Sequence, residues 1–314
     1  MRPPIPPNEP ARQAALDRLR ILDTGPEADF DDIVGLASDL CGAPISLVSL
    51  VDSRRQWFKA KIGLDAEETE RDVSFCAHAI LGRDLLVVPN AAVDARFADN
   101  PAVQGASGIR FYAGAPLLTR DGTALGTLCV VDFDPHRLTL AQSRGLRALA
   151  HQVTEQLELR LMALTEDAGR VEETTPIDLA YLVDGRIREL RPIAEARDIA
   201  ITLAVGGPCV VSADFQRLAR ALDYVIFTAL KAAPPGGRVA ARVSHLTGPT
   251  LDVGHSGGSI APAWQRDLAG HQRADEPVPR AVAAILRAHE ATVREVGEPL
   301  GSPDVRFQLR FPSR

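Results

Sequence analysis

Apolar residues fall into two kinds of rhythm along this chain. From Asn8 to about Leu22, Ala15, Leu19 and Leu22 form one edge and predict a helix with Asn8 at its cap. After the break at Thr24-Gly25-Pro26, Phe30, Ile33, Val34, Ala37 and Leu40 recur at helical spacing and predict a second helix over Ala28–Leu40. Two strands follow, Ile45–Asp52 and Arg55–Ile62, divided by the polar turn Asp52-Ser53-Arg54. Glu67–Leu81 begins polar and turns apolar at Val73, and Leu85–Val88 reads as a short buried strand. A long loop over 90–108, helical around Phe97–Val103, leads to strands at Phe111–Leu118 and Leu125–Asp132, which meet at the Arg120-Asp121-Gly122 turn.

A long helix is predicted over Leu140–Leu164. Its apolar positions Leu146, Ala150, Val153, Leu157, Leu161 and Leu164 are spaced by 4, 3, 4, 4 and 3, close to a heptad seam. The C-terminal half of that seam predicts a parallel homodimer. The polar, acidic run TEDAGRVEETT at 165–175 suits a linker. Beyond it, Ile177, Leu179, Leu182, Val183, Ile187 and Leu190 predict a helix that ends around Arg191-Pro192, then a helical turn at Ala194–Ala196 and a strand over Ile199–Val205. From Asp214 an amphipathic helix carries Leu218, Leu222, Val225, Ile226 and Ala229 on one face, and stops at Ala233 before Pro234-Pro235-Gly236-Gly237. Arg238–His245 then alternates as a strand, with Val239, Ala241 and Val243 on one side.

Composition narrows the class. The 314 residues suffice for two domains, and 46% hydrophobic with 24% charged residues is the balance of a globular protein with a core in each half. The net charge of −6 argues against nucleic acid or an anionic membrane as partner. No apolar run is long enough to span a bilayer, and the start MRPPIPPNEP has no signal-peptide core, so a cytoplasmic protein is expected, with a flexible segment over 1–8. Cys41, Cys76, Cys129 and Cys209 lack metal-site spacing and are expected as buried thiols; no metal is predicted.

Helices flanking antiparallel strands make an α+β class. The phrases ILDT, VSLVD, QWFKA, SFCAHAI, RFYAGAPL and LGTLCVVD, in this order, resemble a GAF domain over about 9–162. GAF domains are small sensory modules; some bind cyclic nucleotides, tetrapyrroles or haem, and others only dimerise. The resemblance implies a pocket for a small ligand, with Trp57, Phe58, Cys76, His78, Phe111 and Tyr112 as its expected lining. Bilin-binding relatives place His directly after Cys, whereas Ala77 intervenes here, so Cys76 is read as a buried thiol near a hydrogen-bonded histidine.

After the linker at 163–176, residues 177–314 resemble the Bergerat-fold ATPase domain of sensor histidine kinases, an α/β sandwich. The likeness rests on the entry phrase at 177–205 and on ADFQRLARALDYVIFTALKAAPPGG at 213–237. That family uses a pair of Asn for Mg²⁺; Tyr224 and Thr228 stand at those places, ahead of Lys231. The family's Asp-x-Gly-x-Gly becomes HSGGS, with His255 for Asp, Gly257 kept and Ser259 for the second Gly. Its Gly-rich lid is replaced by RADEPVPRA, where Pro277 and Pro279 remove backbone donors and Asp275 and Glu276 repel phosphate. A histidine kinase also needs a helical hairpin with a phosphoacceptor His. Only the 11-residue linker stands in that place, and His151, in AHQVTEQ, lacks the acidic neighbour and reads as a surface residue.

The expectation is therefore a GAF sensor joined to a degenerate, pseudokinase-like domain without catalytic residues or bound ATP and Mg²⁺. It would work as a homodimer by contact with a histidine kinase or response regulator of a two-component system. Two alternatives stay open: an active, divergent histidine kinase, and a GAF-type redox enzyme using Cys76, to which Cys41 or Cys129 could be brought by the fold.

Overall fold

The computed structural model describes residues 2–105, 108–165, 167–171, 173–246, 248–257, 263–269, 276–295 and 304–312. They form two compact units, Met1–Glu155 and Gln156–Arg314, whose boundary falls inside the long helix. Both mix helices with sheet, which is the α+β class.

In the first unit, α1 (Glu9–Arg18) is shorter than its apolar edge predicts. Arg20 and Asp23 take positive φ values of 45° and 59°, so the chain turns before Leu22. Asn8 stands at the cap position but makes no side-chain cap bond. Helix α2 (Ala28–Cys41) ends in a left-handed Gly42. The strands β1 (Ile45–Val51), β2 (Arg55–Ile62), β3 (Glu68–Glu70), β4 (Leu86–Val88), β5 (Phe111–Leu118) and β6 (Ala124–Asp132) make one antiparallel sheet in the order β3-β2-β1-β6-β5-β4. Helices α1 and α2 pack on one face, and the short α3 (Phe75–Ala79) packs on the other.

Pairing between β1 and β2 shifts after Val48, which faces Ala60, to Ser49, which faces Phe58, leaving Lys59 as a bulged extra residue. The bulge sends Lys59 towards α2, where its buried ammonium meets Glu27 at 2.7 Å and lies over the Phe30 ring. The N-terminal turn is tied down by charge as well. Glu9 bridges the guanidinium groups of Arg12 and Arg71, whose side chains are 1% and 4% exposed. Burial would raise the Glu9 carboxyl, but the bonds from both arginines outweigh it and hold it well below the usual carboxylate range.

Helix α4 spans Leu140–Leu164, as its pattern predicts. Leu146, Ala150, Val153 and Leu157 are already buried within a single chain, which leaves half-buried Leu161 and exposed Leu164 as the part of the seam open to a second copy.

In the second unit, residues 175–178, read from sequence as the end of the linker and the start of a helix, form strand β7 (Thr175–Asp178), paired antiparallel with β9 (Val210–Ala213). Asp178 then caps α5 (Leu179–Ala196) by accepting from Ala180 and Tyr181 N–H. This helix runs through Pro192, where the sequence predicts its end. A mid-helix proline costs about 3 kcal/mol. Leu190, Ile193 and Ala194 are buried on both sides of it, and burying such side chains returns about 1.5–3 kcal/mol for each large one.

The main sheet of this unit runs β12-β13-β11-β10-β8, with β8 (Ala200–Val205), β10 (Arg238–Ser244), β11 (Thr250–Ser256), β12 (Thr292–Glu295) and β13 (Asp304–Arg310). Only β8 and β10 pair parallel among them. Along β10, Val239, Ala241 and Val243 are buried while Arg238, Ala240 and Arg242 are exposed, so one face carries the core. That face packs against α5 and α6 (Phe215–Ala232), giving a sandwich of sheet and helices; α8 (Pro277–Ala288) packs on α6, and α7 (Ala263–Leu268) lies beside α8. Arg197 closes the end of α6 by donating to the Leu230 and Ala233 carbonyls at 2.7 and 2.9 Å.

Candidate functional site

Strand alternation decides what the first unit can gather at one place. On the α3 side of the sheet, β1 presents Leu47 and Ser49, and β6 presents Cys129 and Thr127 directly opposite them. Beside Cys129 on β5 stands Gly114, and beside Val131 stands Tyr112. Because Gly114 has no side chain, the Tyr112 ring lies along the strand: a Cβ on residue 114 would sit 2.1 Å from the Tyr112 hydroxyl. In that pose Tyr112 Oη donates to Cys76 Sγ at 3.4 Å. Ser74 caps α3 by accepting from Ala77 N–H, which fixes Cys76 over the sheet. Cys76 Sγ and Cys129 Sγ are then 3.7 Å apart, both reduced and buried.

These thiols form one wall of a cavity of about 180 Å³ whose other walls include Leu47, Phe58, Phe75, Ile109 and Val131. The Ser49 and Thr127 hydroxyls are fully buried on the same face and make no hydrogen bond. Burial alone would push the Cys76 thiol up; the contacts with Cys129 Sγ and Tyr112 Oη oppose it and hold Cys76 below the ordinary thiol value. Cys129 is pushed well above that value, by its bond to Cys76 first and by burial next. Tyr112 is raised by burial and by the neighbouring sulfurs. The arrangement is a polarised dithiol in an apolar chamber: one sulfur suited to carry charge, its neighbour suited to keep a proton.

Of the six pocket residues expected from sequence, Phe58, Cys76 and Tyr112 line this cavity. Trp57 and Phe111 do not. Each is the strand neighbour of a lining residue and so points to the opposite face, Trp57 beside Leu50 and Phe111 onto the His136 ring at 3.8 Å. His78, two residues beyond Cys76 on α3, sets its ring edge-on to Phe97 at 4.9 Å and is absent from the lining. Cys129, Thr127 and Ser49 complete the site. Their signal in the sequence is the two-residue period linking Thr127 to Cys129, which becomes readable once β6 is aligned on β1. His151 is exposed on α4, in an open cleft with Arg83 and Arg147.

In the second unit, Tyr224 is buried on α6 and Thr228, one turn on, donates its hydroxyl to the Tyr224 carbonyl at 2.8 Å. Lys231 stands over the Phe227 ring at 5.6 Å. His255 on β11 pairs with Val239 of β10 and faces the helix layer, 7% exposed. Gly257 passes so close to the last turn of α6 that a Cβ would come within 2.5 Å of the Ala232 carbonyl. The end of β11 therefore meets the helix that carries Thr228 and Lys231. Ser259 and Asp275 lie outside the described residues. Glu276 precedes α8, whose first turn holds Pro277 and Pro279.

Residues 25–161 match the GAF domain family, and this part of the chain is a GAF domain. The cyclic di-GMP phosphodiesterase PA2567 of Pseudomonas aeruginosa is 50% identical over 149 residues, covering 48% of this chain and 25% of that protein. The chain thus spans about a quarter of that relative's length. Among solved structures, the catalytic domain of histidine kinase ThkA is similar at a TM-score of 0.39 and 15% identity, over 45% of this chain and 97% of that one. The mycobacterial sensor histidine kinase MprB gives a TM-score of 0.37 and 25% identity, over 45% and 98%. The cytoplasmic segment of histidine kinase QseC gives 0.40 and 14%, over 53% and 95%. Likenesses at that level decide nothing by themselves, and the second unit is characterised by its own topology. Among the described residues no helix is long and apolar enough to cross a membrane.

Proposed function

We propose that the chain is a bacterial signal-transduction protein in which a GAF sensor with an apolar ligand chamber is coupled to a kinase-like domain that works by protein contact, without turning over ATP. The signalling role is supported by the GAF match and by a half-identical region in a cyclic di-GMP phosphodiesterase. The observation that carries the loss of turnover is the pair on α6. Tyr224 has no amide oxygen to offer a cation, and Thr228 offers only a neutral hydroxyl, whose proton goes to the Tyr224 carbonyl, in place of the second amide. The start of α8 adds to this. With Pro277 and Pro279 in the first turn, Val278 is the one residue of its first three that keeps a backbone N–H, where a phosphate would need several.

The state of the GAF chamber then biases which partner surface the second unit presents, and a histidine kinase or response regulator is the partner class that such a domain fits. Calorimetry with ATP, with and without Mg²⁺, tests the reading together with transfer from γ-labelled ATP. No heat and no label are expected. Micromolar ATP binding would overturn the reading, and label transfer that is abolished in His151→Ala would establish the active-kinase alternative instead.

A further inference from the structure

The Cys76–Cys129 pair has more chemistry than a ligand wall requires. Two thiols in van der Waals contact, with an acceptor-side imbalance between them and two buried hydroxyls left without partners, form a built site. We propose that this dithiol is oxidised to a disulfide by an organic hydroperoxide admitted to the cavity, a step that rests on reading the cavity as a ligand chamber.

The chemistry balances as follows. The Cys76 sulfur attacks the terminal oxygen of ROOH, the O–O bond breaks, and the departing alkoxide takes the proton that Cys76 gives up, leaving ROH and Cys76–SOH. Cys129 sulfur then attacks the Cys76 sulfur. The S–O bond breaks, and the hydroxide leaves as water with the Cys129 proton. Two thiols are oxidised by two electrons and one hydroperoxide is reduced. The sulfurs must close from 3.7 Å to a bond of about 2.05 Å, which is a side-chain movement on the scale of one rotamer adjustment.

Three observations choose this chemistry over a thiophilic metal or hydrogen peroxide. A thiophilic metal held by both sulfurs would need further ligands, and no group of three or more His, Cys, Asp or Glu among the described residues supplies them. A disulfide is neutral and suits the apolar walls of Leu47, Phe58 and Val131. The same walls favour an oxidant with a hydrocarbon body, while Tyr112 Oη, already donating to Cys76, supplies the polar contact for its oxygens.

The test uses the reduced full chain with one equivalent of cumene hydroperoxide, hydrogen peroxide in a parallel arm, and unreactive cumyl alcohol as a binding probe. The expected result is loss of two of the four thiols, a Cys76–Cys129 linked peptide by mass spectrometry, and release of one cumyl alcohol. The reaction should run at least tenfold faster than with hydrogen peroxide. Cys76→Ser should abolish it, and Cys129→Ser should stop at a Cys76 sulfenic acid trapped by dimedone. If cumyl alcohol binds but no linked peptide forms, the redox proposal is overturned while the chamber stands. If hydrogen peroxide is the faster oxidant, or cumyl alcohol fails to bind, the assigned oxidant class is overturned. Linkage through Cys41 or Cys209 overturns the site.

Discussion

Replacing Glu9 by Gln removes one unit of charge from between two buried cations. In the native chain its carboxylate takes Arg12 Nε and Nη2 at 2.8 Å each, and both terminal nitrogens of Arg71. A glutamine keeps one acceptor oxygen and turns a donor towards guanidinium groups that donate only. Breaking a buried ion pair from one side costs about 3–5 kcal/mol. Glu9 is 17% exposed, so water relieves part of that, and the low end, about 3 kcal/mol, is expected. Arg12 also donates to the Val51 carbonyl, so the loss reaches β1. Urea titration read by peptide-resolved hydrogen exchange, following β1 and β6, isolates the first unit from the second. The penalty should also depend on pH in a set direction. The folded carboxyl lies below its ordinary value of 4.5, so its contribution is complete above that pH and fades as the pH falls below it. The gap between wild type and Glu9→Gln should therefore narrow from pH 7 towards pH 3. A penalty under 1 kcal/mol at pH 7, or a gap that widens in acid, would refute the reasoning.

Gly114→Ala should destabilise the first unit by about 1–3 kcal/mol, because the new methyl displaces the Tyr112 ring. With its hydroxyl donor gone, Cys76 should titrate higher, read as an upward shift in the pH profile of thiol modification; an unchanged profile would mean that Tyr112 does not tune it. Arg197→Ala should cost the second unit about 1–2 kcal/mol by freeing the Leu230 and Ala233 carbonyls, seen as faster exchange at the end of α6. Unchanged protection there would assign the cap to another group. Calorimetry should find no ATP binding, and hydroperoxide treatment should link Cys76 to Cys129, as set out above.

The strands and helices of the first unit were legible because their periods are clean: β2, β5 and α4 run over the residues that the pattern marks. The cavity was legible in part. Phe58, Cys76 and Tyr112 belong to it, but grouping strand neighbours such as Trp57 with Phe58 ignores that adjacent side chains leave a sheet on opposite faces. Cys76 and Cys129 were visible as residues and not as a pair, since 53 positions separate them and only the docking of α3 on β6 closes that distance. In the second unit the apolar face of α6 was plain, whereas β7 and β9 were missed or misplaced. Each is four residues long, with one partner strand, too short for alternation to show.

The bulge at Lys59 divides β2 into two halves that answer to different neighbours. Before it, Gln56 and Phe58 shape the chamber; after it, Ala60 and Ile62 turn to the side where Ile62 reaches Gly35 of α2. The extra residue acts as a frame shift written into the strand. Sequence drift on the chamber side can change what is admitted without disturbing the helix side. Deleting Lys59, by contrast, would restore plain alternation with Ala60 still opposite Val48, and its cost would fall on the helix side, where the buried ammonium that meets Glu27 would be lost.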